Sequence, residues 1–548
     1  MCTRAARAVG VDRSEAMRQF LKLLGYLAGA LLFAIPLWIR SEYGEVTVDQ
    51  VLYHLGFGSS ALFASDPELT WRFVWRALAP AMGSGILLLL CDALVTKVAR
   101  VGPRQALADW GRQMRSFAAR LARPAERMLG TCHYLIRYRF YLLVPAVGTV
   151  YFVHAMGIVD YVGSYYGPDH FSAAYVDPKK VRIGGDRPRS LVMIYVESLE
   201  NTYSDPQRFG RDLLARLNKL KSHGISFENY QEKRGAHFTI AGIVSTQCGI
   251  PLRSLGMFGG NDQGEQANRF LPRARCLGDI LHDRGYTNVF LNGSSLAFAG
   301  VGKFFEDHHY DKIMGREEWL ALGARAEDMS GWGLHDDDLF ARAREELDQL
   351  ASQRRPFNLS ILTIDTHHPY GLLSHRCSGK GVSDFEGIVE CSANQVAEFV
   401  EYIIDRGLLD KVAIVIQGDH LAMGNTSYEK LIAEPHRTVF NLLINGDRHL
   451  AKNTEDVTHF DMLPTVLELV GLEVAGDRLG IGYSAIGKPT VPRPENRMSQ
   501  LDDVLYNRSE AYLKLWDPEP PVMPARRTPP ALAPGDQATT FDKDAIAG

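Results

Sequence analysis

Leu191-Val-Met-Ile-Tyr-Val196 is a continuous apolar run that stops abruptly at Glu197-Ser198. A run of this length without polar alternation predicts a strand buried on both faces, as in the middle of a parallel sheet. Arg211 to Lys221 follows with Leu213, Leu214, Leu217 and Leu220 at helical spacing. The alternation continues with strands predicted at Asn288 to Leu291, Asn358 to Ile364, Val412 to Ile416 and Val439 to Ile444, and helices near 276–284, 338–352, 394–405 and 461–470. Alternating strands and helices imply an α/β domain, here 191–515, with a mostly parallel sheet covered by helices. In such sheets ligands collect beyond the carboxyl ends of the strands. The proline-rich segment 516–548 is expected to be a flexible tail.

Outward from this domain, the first third of the 548 residues reads differently. Leu23 to Ile39 carries no charge and, with its flanks, reaches the ~20 residues that a bilayer core demands. Spans are predicted at about 20–39, 77–96 and 140–159, the second bounded by Arg76 and Asp92. No small-x-small cleavage site follows Ile39, so the first span is expected to remain as an anchor. The loop between the second and third spans holds Lys97, Arg100, Arg104, Arg112, Arg115 and further arginines, whereas residues 41–71 hold acids and neither Lys nor Arg. Basic loops stay on the cytoplasmic side. Residues 1–162 are therefore read as a membrane domain, 163–190 as a linker, and everything after as exported.

The composition limits the alternatives. With 60 Lys+Arg against 64 Asp+Glu the formal charge is −4, which removes the overall basic footprint of a nucleic-acid binder. Four cysteines, Cys248, Cys276, Cys377 and Cys391, fall in the exported part, where disulfides are compatible with the compartment. The expected pairing is Cys248 with Cys276 and Cys377 with Cys391, one of three connectivities.

Three predicted strands end at acids or imidazoles: Glu197; Asp365 with His367 and His368; and Asp419 with His420. One such end is commonplace, but three on one sheet edge point to a convergent site. Isolated carboxylates away from water are costly, so Glu197 and Asp419 make most sense around a divalent cation with His420 as nitrogen ligand. Phe238-Thr-Ile-Ala-Gly242 places Thr239 at or beside a helix amino terminus, where amides and the dipole favour an oxyanion. Helix capping is the plain alternative for that threonine.

The strings Val196-Glu-Ser-Leu-Glu200, Phe238-Thr-Ile-Ala-Gly242 through Ser245-Thr-Gln-Cys-Gly-Ile-Pro251, Gly331-Trp-Gly-Leu, Thr366-His-His-Pro-Tyr370 and Gly418-Asp-His-Leu-Ala-Met423 resemble the phosphoglycerol transferase I family of Gram-negative bacteria. These are inner-membrane relatives of the lipoteichoic acid synthases, within the sulfatase-like part of the alkaline phosphatase superfamily. The resemblance covers about residues 190–475 and implies the fold of that superfamily. It puts the metal glutamate on Glu197, the nucleophile on Thr239 and the Asp-His ligand pair on Asp419 and His420. The substrate-binding histidine falls on His367, with His368 as the competing position. A Trp-x-Arg phosphate grip known in lipoteichoic acid synthases is not matched, because the region reads Leu296-Ala-Phe-Ala-Gly-Val-Gly-Lys303; Lys303 is the cation available there. Cys248-Gly-Ile-Pro-Leu-Arg253 has one residue too many for a sulfatase C/S-x-P-x-R string.

The activity implied by the resemblance is transfer of phosphoglycerol from phosphatidylglycerol to a periplasmic osmoregulated glucan, through a phospho-threonine, with one divalent cation (Mn, Mg or Zn). The implied location is the inner membrane, with the catalytic domain in the periplasm. Phosphoethanolamine or polyglycerol-phosphate transfer is the alternative within enzymes. An inactive glucan-binding or sensor module is the alternative outside them.

Overall fold

A computed structural model of the protein describes residues 13–44, 46–57, 66, 68–101, 140–185, 188–254, 269–446 and 450–516. The Pro-rich segment 517–548 and the basic loop from 102 to 139 lie outside the described residues.

The amino-terminal third is helical. Helix α1 (Arg13–Tyr43) is followed by the short α2 (Val48–Phe57). Helix α3 comprises Glu68–Phe73, a π-helical turn Val74–Leu78, and Ala79–Val101, and α4 is Phe140–Ala155. Two stretches, Met17–Tyr43 and Glu68–Val95, are long and apolar enough to cross a membrane. The second begins nine residues before the expected 77, because Glu68, Trp71 and Arg72 continue the helix beyond the apolar core. Helix α4 stops four residues short of the expected 159, where Gly157 turns left-handed at φ 65°. Its 16 residues rise about 24 Å, less than the ~30 Å hydrocarbon core. α4 packs along α1 at small residues: a Cβ on Gly29 would lie 2.5 Å from a Val144 methyl, and Gly148 faces Gly29. Close backbone approach of this kind is how helices associate in lipid. Lys22 on α1 and Asp92 on α3 form a buried ion pair. Trp75 and Val150 are about 70% exposed, an outward apolar surface typical of a lipid contact.

The described residues of the segment expected as a linker, 163–190, are folded. Asp169 caps a helical turn, His170–Ala174, and Ile183–Gly184 pairs antiparallel with Glu473–Val474.

The domain beyond it is built on a seven-stranded sheet. In chain order its strands are β1 (Ser190–Val196), β2 (Gly224–Ile225), β3 (Thr287–Asn292), β4 (Lys312–Met314), β5 (Phe357–Leu362), β6 (Val412–Gly418) and β7 (Asn441–Ile444). Their spatial order is β2-β7-β6-β1-β5-β3-β4. β1 pairs parallel with β5 and β6, and β3 pairs parallel with β5 and β4; β7 runs antiparallel to both its neighbours. The mostly parallel α/β sheet expected from the alternation is therefore present, with one reversed strand, β7, next to the edge.

Every residue of β1, β5 and β6 is buried. Leu191, Met193 and Tyr195 pack with Ile240, Ile243 and Val244 of α5 (Thr239–Cys248) and with Met462 and Val466. Val192, Ile194 and Val196 point the other way, onto Leu339 and Phe340 of α6 (Asp336–Ala351) and Val396 and Phe399 of α7 (Phe385–Asp405). Helix α7 begins nine residues before the expected 394, because Asp384 accepts the amide of Gly387 as its cap. The disulfides are Cys248–Cys276 and Cys377–Cys391, the pairing singled out from the sequence.

Candidate active site

Parallel β1, β5 and β6 are neighbours, so their carboxyl ends open on one edge of the sheet, and Glu197 and Asp419 are the first residues past β1 and β6. Ser198 turns the chain with φ 56° and donates its amide to Asp419 Oδ1 at 2.8 Å and its hydroxyl to Glu197 Oε1 at 2.7 Å. The His420 amide donates to the same Asp419 Oδ1 at 2.9 Å. Asp419 Oδ2 is buried and has no hydrogen-bond partner. His420 Nε2 lies 3.5 Å from that oxygen and 3.5 Å from Glu197 Oε1.

Thr239 is the first residue of α5 and half-buried. Its hydroxyl donates to Glu197 Oε2 at 3.3 Å and lies 3.5 Å from His420 Nε2. Phe238 occupies the cap position with no side-chain cap bond, so the threonine hydroxyl does not satisfy the helix end. Gly242, one turn on, admits the close approach: a Cβ there would sit 1.9 Å from the Asp419 carbonyl oxygen.

The donor set fits a divalent cation. Glu197, Asp419 and His420 offer ligand atoms within 4.8 Å of one another, all buried. His420 Nδ1 donates to the Leu421 carbonyl at 2.8 Å, which directs the Nε2 lone pair between the carboxylates. Burial by itself favours a neutral His420, yet Asp419 and Glu197 outweigh it and raise the imidazole above its usual range. Burial and the Glu197 charge push Asp419 upward. A buried cluster with two carboxylates and one orphaned oxygen is what a positive ion relieves. Cys248, Cys276 and His308 also cluster, but both sulfurs are held in the disulfide.

His367 and His368 follow β5. The His367 ring lies 4.0 Å from Trp332, and its Nδ1 donates to the His368 carbonyl at 2.8 Å. Burial lowers its basicity, with Glu197 opposing. The His368 ring sits 4.5 Å from His367 and 5.2 Å from Tyr43 at the end of α1, and burial keeps it neutral. Both therefore stand beside the cluster, with His368 on the side of the membrane helices.

Lys303 is not brought to the cluster: its ammonium pairs with Glu306 at 3.2 Å and Asp307 at 3.5 Å, and among the described residues it makes no ion pair or hydrogen bond with Glu197, Thr239, His367 or Asp419. Asp365 also turns away. It is held by His335 Nδ1 at 2.7 Å and the Asp336 amide at 3.2 Å, and so ties the loop after β5 to the amino terminus of α6.

Further side chains support the cluster; of these the sequence offers only His459, as one of several histidines whose plain role is helix capping or surface exposure. His459 donates Nε2–H to the Asp419 carbonyl at 2.9 Å, and Thr366 donates to the Glu197 carbonyl at 2.5 Å. Glu232 accepts the Leu421 amide at 2.6 Å; burial would raise its carboxyl, but His237 and His420 hold it below the usual range. No local pattern marks these residues, since each acts through a partner far away in the chain. Trp332 sits in a quoted string, yet only the fold lays its ring on His367.

A family model described as Sulfatase matches residues 189–472, just over half of the chain. Phosphoglycerol transferase I of Shigella flexneri is 36% identical over 329 residues, covering 58% of this chain and 42% of its own. Phosphoglycerol transferase I of Escherichia coli (strain SMS-3-5 / SECEC) is 36% identical over 334 residues with the same coverage. This chain thus spans about two fifths of the length of these curated relatives. A solved structure of an alkaline phosphatase superfamily protein from Vibrio parahaemolyticus has 19% identity and a TM-score of 0.42, covering 60% of this chain and 79% of its own. The matched region contains Glu197, Thr239, His367, Asp419 and His420, and the chain belongs to the Sulfatase family.

Proposed function

We propose that the protein is a membrane-anchored phosphotransferase that moves phosphoglycerol from phosphatidylglycerol to a periplasmic osmoregulated glucan. The observation that carries this reading is the direction of the Thr239 hydroxyl, which faces Glu197 and His420 instead of capping its helix. The curated relatives named phosphoglycerol transferase I support the choice of headgroup. One divalent cation, Mn, Mg or Zn, would be held by Glu197, Asp419 and His420 with Thr239. When bound, it favours the threonine alkoxide and neutralises charge on the phosphoryl oxygens.

Thr239 Oγ1 attacks the lipid phosphorus, the bond from phosphorus to the diacylglycerol oxygen breaks, and that oxygen gains the proton that the threonine loses. The amino terminus of α5 faces the anionic phosphoryl group. A glucan hydroxyl then attacks the same phosphorus, its proton balancing the one returned to Thr239 as the threonine bond breaks. His367, kept neutral with Nδ1–H committed to a carbonyl, offers Nε2 to a glycerol hydroxyl of the headgroup. His368 shares that wall. In this reading α1, α3 and α4 hold the domain at the outer face of the inner membrane and raise the effective concentration of the lipid donor. Residues 1–162 form the membrane domain and 191–515 the periplasmic catalytic domain.

The test supplies phosphatidylglycerol labelled in the headgroup glycerol to the full-length protein in vesicles with purified glucan. Label reaching glucan, with a transient adduct on Thr239, is the expected result. An adduct carrying ethanolamine from mixed lipids overturns the headgroup assignment, and no adduct from any lipid overturns the enzyme reading.

A further inference from the structure

Beside a divalent ion, a phosphodiester is gripped by a basic side chain in many sites, and among the described residues the candidate site receives none from its own domain. Among the described residues, no hydrogen bond or ion pair of Glu197, Thr239, His367, Asp419 or His420 involves Lys or Arg. Lys303 is neutralised by Glu306 and Asp307.

The outer end of α3 comes up against the His367–Tyr370 loop. Arg76 Nη2 donates to the Tyr370 hydroxyl at 3.2 Å, and Tyr43 lies edge-on to His368 at 5.2 Å. The neighbouring Arg72 is already enclosed by Glu42, Asp66 and Glu68. Arg76 is different: its side chain is 50% exposed, and its approach to Glu42, 3.5 Å, is long. It sits in the middle of the π-helical turn Val74–Leu78, a local widening that recurs at functional sites. Trp71 and Trp75, 63% and 68% exposed, flank it, and the apolar part of the span begins at Ala77. Exposed tryptophans beside the first apolar residues mark headgroup depth. A guanidinium at headgroup depth, bonded to the loop that carries His367 and His368, matches a lipid phosphate.

We infer that Arg76, presented by the membrane region, holds the phosphate of the donor lipid beside the His367–Tyr370 loop, so that the site is completed by the second span. This rests on the phosphotransferase reading above, and it separates a phospholipid from the same lipid without its phosphate. The plain alternative is that Arg76 only docks the membrane region onto Tyr370.

The experiment uses full-length protein in phosphatidylcholine nanodiscs containing phosphatidylglycerol. Arg76→Ala should raise the apparent KM for phosphatidylglycerol by about tenfold or more with little change in kcat, the loss expected for one charge-assisted contact. Arg76→Lys should recover part of it. Tyr370→Phe, which deletes only the docking hydrogen bond, should leave KM within about twofold of the parent. In parallel, spin-labelled phosphatidylglycerol and spin-labelled diacylglycerol are bound to Thr239→Ala protein with and without Arg76→Ala, a readout independent of turnover. Preference for phosphatidylglycerol that disappears with Arg76 supports the inference. An unchanged KM and unchanged preference in Arg76→Ala overturn it, as does a Tyr370→Phe defect equal to that of Arg76→Ala. If the parent does not turn over phosphatidylglycerol while the Arg76-dependent preference persists, the phosphotransferase reading fails and the lipid-phosphate site stands.

Discussion

Thr239 makes two long contacts, 3.3 Å to Glu197 and 3.5 Å to His420, and neither supports the helix. Thr239→Ala should therefore abolish transfer while lowering stability by less than about 1 kcal/mol, read by lipid turnover and thermal unfolding of the same preparation. Asp419 stands at the opposite extreme. Its Oδ1 is filled by two amides, and the buried Oδ2 has no hydrogen-bond partner, with His420 Nε2 3.5 Å away. Asp419→Asn should weaken metal binding by at least about tenfold, since even outer partners of metal ligands cost that much, as isothermal titration with Mn would measure. Gly242 is required by space: Gly242→Ala drives a methyl into the Asp419 carbonyl. A destabilisation of about 1–3 kcal/mol with loss of metal affinity is expected, because α5 or the strand end must move.

Among the elements, the helix Met462–Leu469 packs on α5 and carries Glu468, whose carboxyl accepts from Ser484. Burial, with Asp477 adding and Ser484 and Arg493 opposing, pushes Glu468 up to about 7 from 4.5. An acid whose folded value is raised contributes stability that is complete below its unfolded value and lost as pH rises through the folded one. Stability should accordingly fall between about pH 5 and pH 8, and Glu468→Gln should remove about 1–3 °C of that decline in melting temperature. An unchanged slope would show that the carboxyl is already ionised in the fold.

Over the whole molecule, two disulfides and the docking of the membrane helices hold the site. Cys377 and Cys391 enclose a separation of 14 residues within the α7 region. The Cys377→Ser, Cys391→Ser double variant should lose about 3 kcal/mol by the chain-entropy argument, measured by denaturant unfolding without reductant. The segment after α1 meets the catalytic domain through ring contacts and ion pairs: His54 lies 5.1 Å from Phe238, the residue before Thr239, and Asp49 pairs with Arg508 at 2.6 Å. The helical amino-terminal third and the candidate site thus share one surface.

By itself the sequence determined five of the seven strands and their polar edge, because buried parallel strands must be continuously apolar and the first residue past each must face solvent or a ligand; the short strands β2 and β4 carry no such run. The runs ending at Glu197 and Asp419 therefore announced both the strands and the acids. The length of the apolar runs likewise marked out two helices long and apolar enough to cross a membrane. What only the tertiary structure decided was direction and partnership. It turned Asp365 toward His335, confined Lys303 between two carboxylates, laid Trp332 on His367 and brought Arg76 to Tyr370. Those outcomes depend on side chains that meet across tens to hundreds of residues, and no periodicity within one segment encodes which distant group will occupy the facing space.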